Sequence, residues 1–385
     1  MNEKKHIVAH INHTWFAGSE TFIYNYISSI RAFHSICLSW EQQNQNLFPF
    51  PETDMYTLNQ KRFSQKWAFN KVYKMIRGID QHLKDILEMR NVKIIHAHFG
   101  PHGVYAIQAK NKLQIPLITS FYGYDLSKKP FLEKWQQEYF RLFKEGDLFL
   151  VEGPHMKSVL ANLGCKEEKI MIQRIALPLD KIKFFPRKPK APGEKIILVF
   201  SGRFVEKKGL LNALQSLKIL NETYRDYQFT IIGDGPLRPE IEKFIDTNNM
   251  KKYIKITGFL PYNKYLEEMQ RGDIFVHPSM TATDGESEGG APTVILEAQA
   301  MGMPVVSTFH GDIPNIVVNE KSALLSEEGD YEQLAKNIAT LFKDQEAWEQ
   351  MGNEGRKHVE LRHNIKIEVK ALEDIYNGLL KTDTI

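Results

Sequence analysis

The sequence predicts an α/β protein of two Rossmann-like, doubly wound parallel-sheet domains. Three observations carry that expectation. Short apolar runs that end in glycine or polar residues alternate with segments of helical period, the pattern of a parallel sheet with crossover helices. A stretch with three prolines, a glycine and several charges, "FFPRKPKAPGEK" (184–195), interrupts the alternation as a linker would. The length, 385 residues, suits two domains of roughly 150–200 residues each.

In order along the chain, "HIVAHI" (6–11) reads as a buried first strand. "SETFIYNYISSI" follows, with Phe22, Tyr26 and Ile30 near helical spacing and Ser19 as the N-cap. "HSICLSW" and "VKIIHAHFG" are the next strands. Then come the helical "YAIQAKNKL", the strands "PLITSFYG" and "DLFLVEG", and the helix "HMKSVLANLG", stopped at Gly164. Beyond the linker, "IILVFSG", "QFTIIGDG", "YIKITGF", "DIFVHPS", "PVVST" and "SALLSEE" alternate with helical segments. That makes about six β-α pairs, enough for a complete doubly wound domain. The last third is mostly helical, and "IKIEVKALEDIYNGLL" is an amphipathic terminal helix. The expected domains are 1–188 and 189–359.

Hydrophobic content of 42% and charged content of 25% are ordinary globular values, so the chain can bury a core. A net charge of +3 is too mild to imply a nucleic-acid partner. Two cysteines, Cys37 and Cys165, argue for a reducing compartment rather than a disulfide framework. The first residues are too polar for a signal peptide, and no apolar run reaches the length of a spanning helix. The expected location is cytoplasmic.

In an open parallel sheet, ligands sit beyond the carboxyl ends of the strands. "VFSGRFVEKKG" turns at Gly202 and puts Arg203 and Lys208 there. These cations either clamp a diphosphate, Arg by its fork and Lys as a point charge, or form a solvated basic loop. Lys207 is expected to be the exposed lysine of the pair. "IIGDGP" reads as a strand-to-helix turn without a ligand. In "KITGFLP", main-chain groups at Gly258 can meet a planar base.

"GESEGGAPTVILEAQAMGMP" (285–304) is the strongest local signal. Gly289 and Gly290 let backbone approach a ligand. The residues from Gly290 through Ala291, Pro292 and Thr293 begin a helix whose unsatisfied N–H groups favour phosphate. Glu297, inside an apolar run, needs hydrogen-bond donors, and sugar hydroxyls are such donors. Glu288, before the turn, reaches another part of the same ligand. The alternative makes Glu288 a capping carboxylate and Glu297 a helix glutamate paired with a lysine. No dinucleotide fingerprint, Walker A sequence or zinc-spaced ligand set is present, so no cofactor or metal is expected. His96 and His98 of "HAH" are expected on opposite sides of a strand, one packed and His98 facing the ligand.

Taken together, "SGRFVEKKG", "IIGDGPLR", "ITGFLP", "FVHPS" and "EGGAPTVILEAQAMGMPVVST" resemble, in order and spacing, the retaining family 4 glycosyltransferases. Within that family the chain looks like the bacterial exopolysaccharide and colanic-acid type enzymes. The resemblance implies a GT-B fold, two domains facing a central cleft. The N-terminal domain would serve the acceptor side, and the C-terminal one would bind a nucleotide-sugar donor such as a UDP- or GDP-sugar. Helices from about residue 360 to 385 would cross back to the first domain. Arg203 and Lys208 would hold the donor diphosphate, Glu297 the ribose hydroxyls and Glu288 the transferred sugar. Backbone from Gly290 to Thr293 would support sugar and phosphate, with Gly258 and Phe259 beside the base. "FAGSETF" resembles a loop that closes on phosphate and acceptor, so Gly18, Ser19 and Glu20 would face the cleft. "HAHFG" and "TSFYGYD" resemble acceptor-side motifs, which brings in His98, Tyr122 and Asp125.

Two departures from the family pattern stand out. Eight residues separate Glu288 from Glu297 where seven are usual, and Tyr122 stands where relatives often have histidine. A tyrosine donates a hydrogen bond but does not do the work of an imidazole near neutral pH. Either His98 covers that function, or Tyr122 is a positioning residue, or the activity is altered.

The implied reaction moves a sugar to a hydroxyl of a glycan or lipid-linked saccharide in cell-surface polysaccharide synthesis. It keeps the anomeric configuration and needs no divalent ion. Beside it stand a non-catalytic sugar-nucleotide binding protein and another enzyme such as a phosphorylase or epimerase. Finally, "KRFSQKWAFNKVYKMIRG" (61–78) mixes lysines and arginines with aromatic residues. It suits the inner face of the cell membrane as an anionic surface, or it is a surface helix with its aromatic side on the core. Nothing else supports a nucleic-acid reading.

Overall fold

A computed structural model describes residues 5–18, 20–60 and 80–382. The chain divides into two compact units. The first comprises Met1–Leu126, Pro130–Ala176 and Ile365–Ile385; the second comprises Ser127–Lys129 and Leu177–Asn364.

The first unit carries strands β1 (Ile7–Ile11), β2 (Thr14–Trp15), β3 (His34–Ser39), β4 (Glu41–Gln42), β5 (Met55–Thr57), β6 (Val92–His98), β7 (Leu117–Ser120), β8 (Leu148–Val151) and β9 (Ile170–Ile172). Its helices are α1 (Thr21–Ser29), α2 (Gln81–Met89), α3 (Gly100–Leu113), α4 (Tyr124–Ser127), α5 (Lys129–Glu145) and α6 (Pro154–Asn162). Seven strands form one parallel sheet in the order β5-β3-β1-β6-β7-β8-β9. The order reverses between β1 and β6. Because both faces are covered, the strands are continuous apolar runs, and alternate residues enter separate cores. Ala9, Ile36 and Ile95 pack with Leu83 and Ile107 of α2 and α3. Val8, Ile94 and Ile118 pack on the other face with Tyr26 of α1 and with Val369, Leu372 and Tyr376 near the C-terminus.

In the second unit β10 (Ile196–Ser201), β11 (Tyr227–Ile232), β12 (Ile254–Gly258), β13 (Ile274–His277), β14 (Val305–Thr308) and β15 (Ala323–Ser326) alternate with helices. The helices are α7 (Leu210–Leu220), α8 (Arg238–Thr247), α9 (Tyr262–Gln270), α10 (Thr293–Ala300), α11 (Ile313–Ile316), α12 (Tyr331–Lys343) and α13 (Ala347–Arg362). The sheet is parallel, in the order β12-β11-β10-β13-β14-β15. That is the nucleotide-binding order, with its switch between β10 and β13.

Residues 177–188, read with the first domain on sequence, pack in the second unit. The Leu177 N–H donates to the His363 carbonyl at 2.8 Å and the Phe185 N–H to that of Met301 at 3.2 Å. Arg356 donates to the Ile182 carbonyl at 3.0 Å. After Asn364 the last helix, α14 (Ile365–Thr382), belongs to the first unit. There Glu373 accepts the backbone N–H groups of Arg31 and Ala32, both at 2.6 Å. Cys37 and Cys165 are free and buried. Among the described residues, no helix is long and apolar enough to cross a membrane.

Candidate active site

The loop after β10 starts at Gly202 and closes at Gly209, whose φ is +64°. A Cβ on Gly209 would lie 1.7 Å from the Pro278 carbonyl oxygen, so only glycine lets this loop pass the loop after β13. The close approach puts Lys208 against Glu288: Nζ to Oε2 is 2.8 Å. Ser279 donates to the other Glu288 oxygen at 2.8 Å, and His277 Nε2 stands 3.5 Å from it. The His277 ring is fully buried, and neither of its nitrogens makes a hydrogen bond among the described residues. Burial alone would raise the Glu288 pKa, but Lys208 and His277 hold it well below the usual carboxylate range. Glu288 is therefore an ionised carboxylate set in a cage of donors.

The Glu288 backbone N–H donates to His310 Nε2 at 3.0 Å, and His310 Nδ1 meets Glu328 Oε1 at 2.5 Å. An accepting Nε2 fixes the proton on Nδ1, so Glu328 orients His310, which orients the Glu288 backbone. Neither His277 nor His310 was legible as a site residue. "FVHPS" offered His277 without showing that its ring turns toward Glu288, and His310 lies twenty-two residues beyond Glu288.

Lys207 corrects the sequence reading. Its side chain is 13% exposed against 17% for Lys208, and it pairs with Glu286 at 2.9 Å. Both lysines thus have carboxylate partners. Arg203 differs: it is exposed, and its guanidinium makes no hydrogen bond or ion pair among the described residues.

Glu297, in the second turn of α10, is 7% exposed and pairs with no lysine among the described residues. Tyr265 and Tyr262 of α9 donate to its two oxygens at 2.5 and 3.3 Å. Burial pushes its pKa up to about 7, against the pull of those two hydroxyls. The need for donors was right, but protein hydroxyls meet it in the free chain. At the start of α10 the N-cap is Pro292, which has no side-chain acceptor. The Ile295 N–H meets the Pro292 carbonyl at 3.0 Å, and those of Thr293 and Val294, unbonded among the described residues, are left for a ligand or solvent. Gly290 and Ala291 are buried beside it. Gly258 ends β12 at φ +73°, and the next residue, Phe259, is 81% exposed. The structure thus joins Lys208, Gly202 and Glu288, while Glu297 has a separate pair of tyrosines and Arg203 stands free.

In the first unit the "HAH" expectation fails. Residues two apart on a strand share a face, and the His96 and His98 rings stack with centroids 4.5 Å apart, both buried. His98 Nδ1 meets the Tyr122 hydroxyl at 2.7 Å, so tyrosine and histidine act here as one hydrogen-bonded pair. Asp125 is fully buried and accepts the N–H groups of Gly100, Tyr122 and Gly123 at 3.0–3.1 Å. Its oxygens build the loop rather than meet a ligand. Glu20 accepts from Asn12 at 2.8 Å, and burial raises its pKa. Gly18 is exposed. Ser19 and residues 61–78 lie outside the described residues.

A parallel sheet of this order, with cations and a helix start at the carboxyl ends of its strands, is the architecture of doubly wound nucleotide-binding folds. Residues 181–358 match the model for glycosyl transferases group 1, and residues 10–173 that for glycosyltransferase family 4. WcaL of Escherichia coli strain K12, a glycosyltransferase ascribed to colanic acid biosynthesis, is 32% identical over 286 residues, 74% of this chain and 70% of WcaL. The amylovoran biosynthesis glycosyltransferase AmsK of Erwinia amylovora is 32% identical over 288 residues, with the same two shares. The fold is that of Anabaena HepE, solved with UDP, at a TM-score of 0.79 and 15% identity over 97% of this chain and 100% of that one. The chain belongs to the family 4 glycosyltransferases and transfers a sugar from a nucleotide-activated donor to an acceptor.

Proposed function

We propose that the second unit holds a nucleoside-diphosphate sugar, with Arg203 and Lys208 on the diphosphate. Glu297 takes the ribose hydroxyls, Glu288 the transferred sugar, and Phe259 and Gly258 flank the base. The carrying observation is the pairing of Lys208 with a caged Glu288 beside an uncapped α10. One side chain in that loop can hold phosphate while its partner holds sugar. Lys208 keeps further N–H donors after bonding Glu288, and Arg203 has its whole fork to offer.

As the bond from the anomeric carbon to the β-phosphate oxygen breaks, negative charge grows on that phosphate. Fixed cations and N–H groups stabilise it more strongly than they do the bound donor. The acceptor oxygen bonds to the anomeric carbon from the same face, and its proton passes to the departing phosphate, so configuration is kept. No protein nucleophile is needed, and two cations take the place of a divalent ion. The first unit, through His98 and Tyr122, serves the acceptor, a glycan or lipid-linked saccharide of a surface polysaccharide. Colanic acid and amylovoran, named for the two relatives, support that acceptor class.

The test is sugar transfer or donor hydrolysis across a panel of UDP- and GDP-sugars in the presence of a chelator. Lys208→Met and Arg203→Met should each lower kcat/KM by about 10²-fold or more, the scale of a lost transition-state donor. Unchanged kcat/KM in both variants overturns the assignment. Residues 61–78 we assign to an anionic membrane surface. The chain should co-sediment with vesicles containing phosphatidylglycerol, and less so at high salt. Equal binding to neutral vesicles would count against it.

A further inference from the structure

We propose that His10, His96 and His98 form a binding site for one zinc-class divalent ion in the first unit, under the carboxyl ends of β1 and β6. His10 and His96 are register partners on these adjacent strands, and His98 follows two residues later on the same face. The three rings straddle the point where the sheet order reverses. A ring nitrogen from each lies within 4.8 Å of the others, and no other such group of ligands occurs among the described residues. His10 Nδ1 and His98 Nε2 are already 3.1 Å apart. Two nitrogens bound at zinc distances in a tetrahedron lie about 3.3 Å apart.

The site also has a place for the proton that an ion would displace from His10 Nδ1. His10 is 1% exposed, yet its Nε2 finds no hydrogen-bond partner among the described residues. It lines a cavity of about 30 Å³ together with His96, His98, Ser120, Glu152 and Gln173. That space admits an ion with a water. The rings also have the outer partners that metal-bound imidazoles use: His98 Nδ1 on the Tyr122 hydroxyl, and His96 Nδ1 on that of Tyr376 at 2.6 Å. Burial keeps all three imidazoles neutral, His96 down at about 3, so no proton competes with a metal near pH 7. Three uncharged nitrogen donors select zinc, cobalt or nickel over magnesium and calcium.

Binding conserves protons. With His98 donating from Nδ1 to Tyr122, the hydrogen between His10 and His98 sits on His10 Nδ1. It moves to His10 Nε2 and leaves two lone pairs facing the ion. His96 gives up one of its two bonds, to Tyr376 or to Ser120 at 2.7 Å. His98 and Tyr122 are shared with the acceptor role proposed above, but metal binding is read without donor or acceptor, so its failure and that of the transferase reading stay distinct.

The test uses the full, untagged chain, equilibrium dialysis with Zn²⁺ or Co²⁺, and the visible spectrum of the cobalt form. One Co²⁺ per chain with a four-coordinate absorption band is expected, together with a raised melting temperature. His10→Gln should lose both, with Mg²⁺ and Ca²⁺ inactive throughout. Absence of one-to-one binding by the wild-type chain overturns the site whether or not the variant folds. So does a band that survives His10→Gln but is lost on changing His13 and His102, a neighbouring pair with ring centroids 6.4 Å apart.

Discussion

At the scale of single residues, Glu297 is the group whose charge should be visible in solution. Burial raises its pKa from 4.5 to about 7 in the folded chain, so the folded state holds a proton that the unfolded state has lost. Its stabilising contribution is full below pH 4.5 and disappears as pH rises through about 7. Wild-type stability should therefore fall by about 3 kcal/mol more over that interval than that of Glu297→Gln. Equal slopes in denaturant titrations would refute it. Ribose hydroxyls donate to the ionised form, so affinity for a nucleotide sugar should rise between pH 6 and 8 in the wild type alone. Glu297 also marks what was legible in sequence. A carboxylate inside "TVILEAQAMG" had to find donors, but Tyr262 and Tyr265 sit on another helix, and no spacing rule reaches across thirty residues. Lys207 misled for the same reason: its partner, Glu286, is remote in sequence.

Among the elements, the turn from β10 to α7 depends on one glycine. Gly209 combines a positive φ with a carbonyl at the place of its missing side chain. Gly209→Ala should destabilise the chain by about 1–3 kcal/mol and lower transfer activity with it, because Lys208 is the adjacent residue. An unchanged melting temperature would show that the loop after β13 yields freely. Most strands and crossover helices could be read from apolar runs and glycine stops, since those patterns are local, but α2 and α5 of the first unit were not read. β2, β4, β5 and β9 are only two or three residues long, too short to show a period. The boundary of the first unit was misplaced because "FFPRKPKAPGEK" looks like a linker, while Phe185 and the segment before it are bonded to Met301, Arg356 and His363.

For the molecule as a whole, ligand protection should follow the two units. A nucleoside diphosphate should slow amide exchange in residues 202–209, 258–262 and 288–297, and leave the β3 and β5 edge of the first sheet unchanged. Protection confined to the first unit would reverse the roles proposed for the two. By itself the sequence determined the α/β class, the two parallel sheets, the family, and which loops carry cations, carboxylates and glycines. These follow from local periodicity and from motifs in fixed order. Only the tertiary structure decided which groups meet: Lys208 with Glu288, Glu297 with two tyrosines, His310 behind the Glu288 backbone, and three histidines around one cavity. Such meetings depend on strand order and on the crossing of loops, and side-chain charge and burial are set by neighbours far away along the chain.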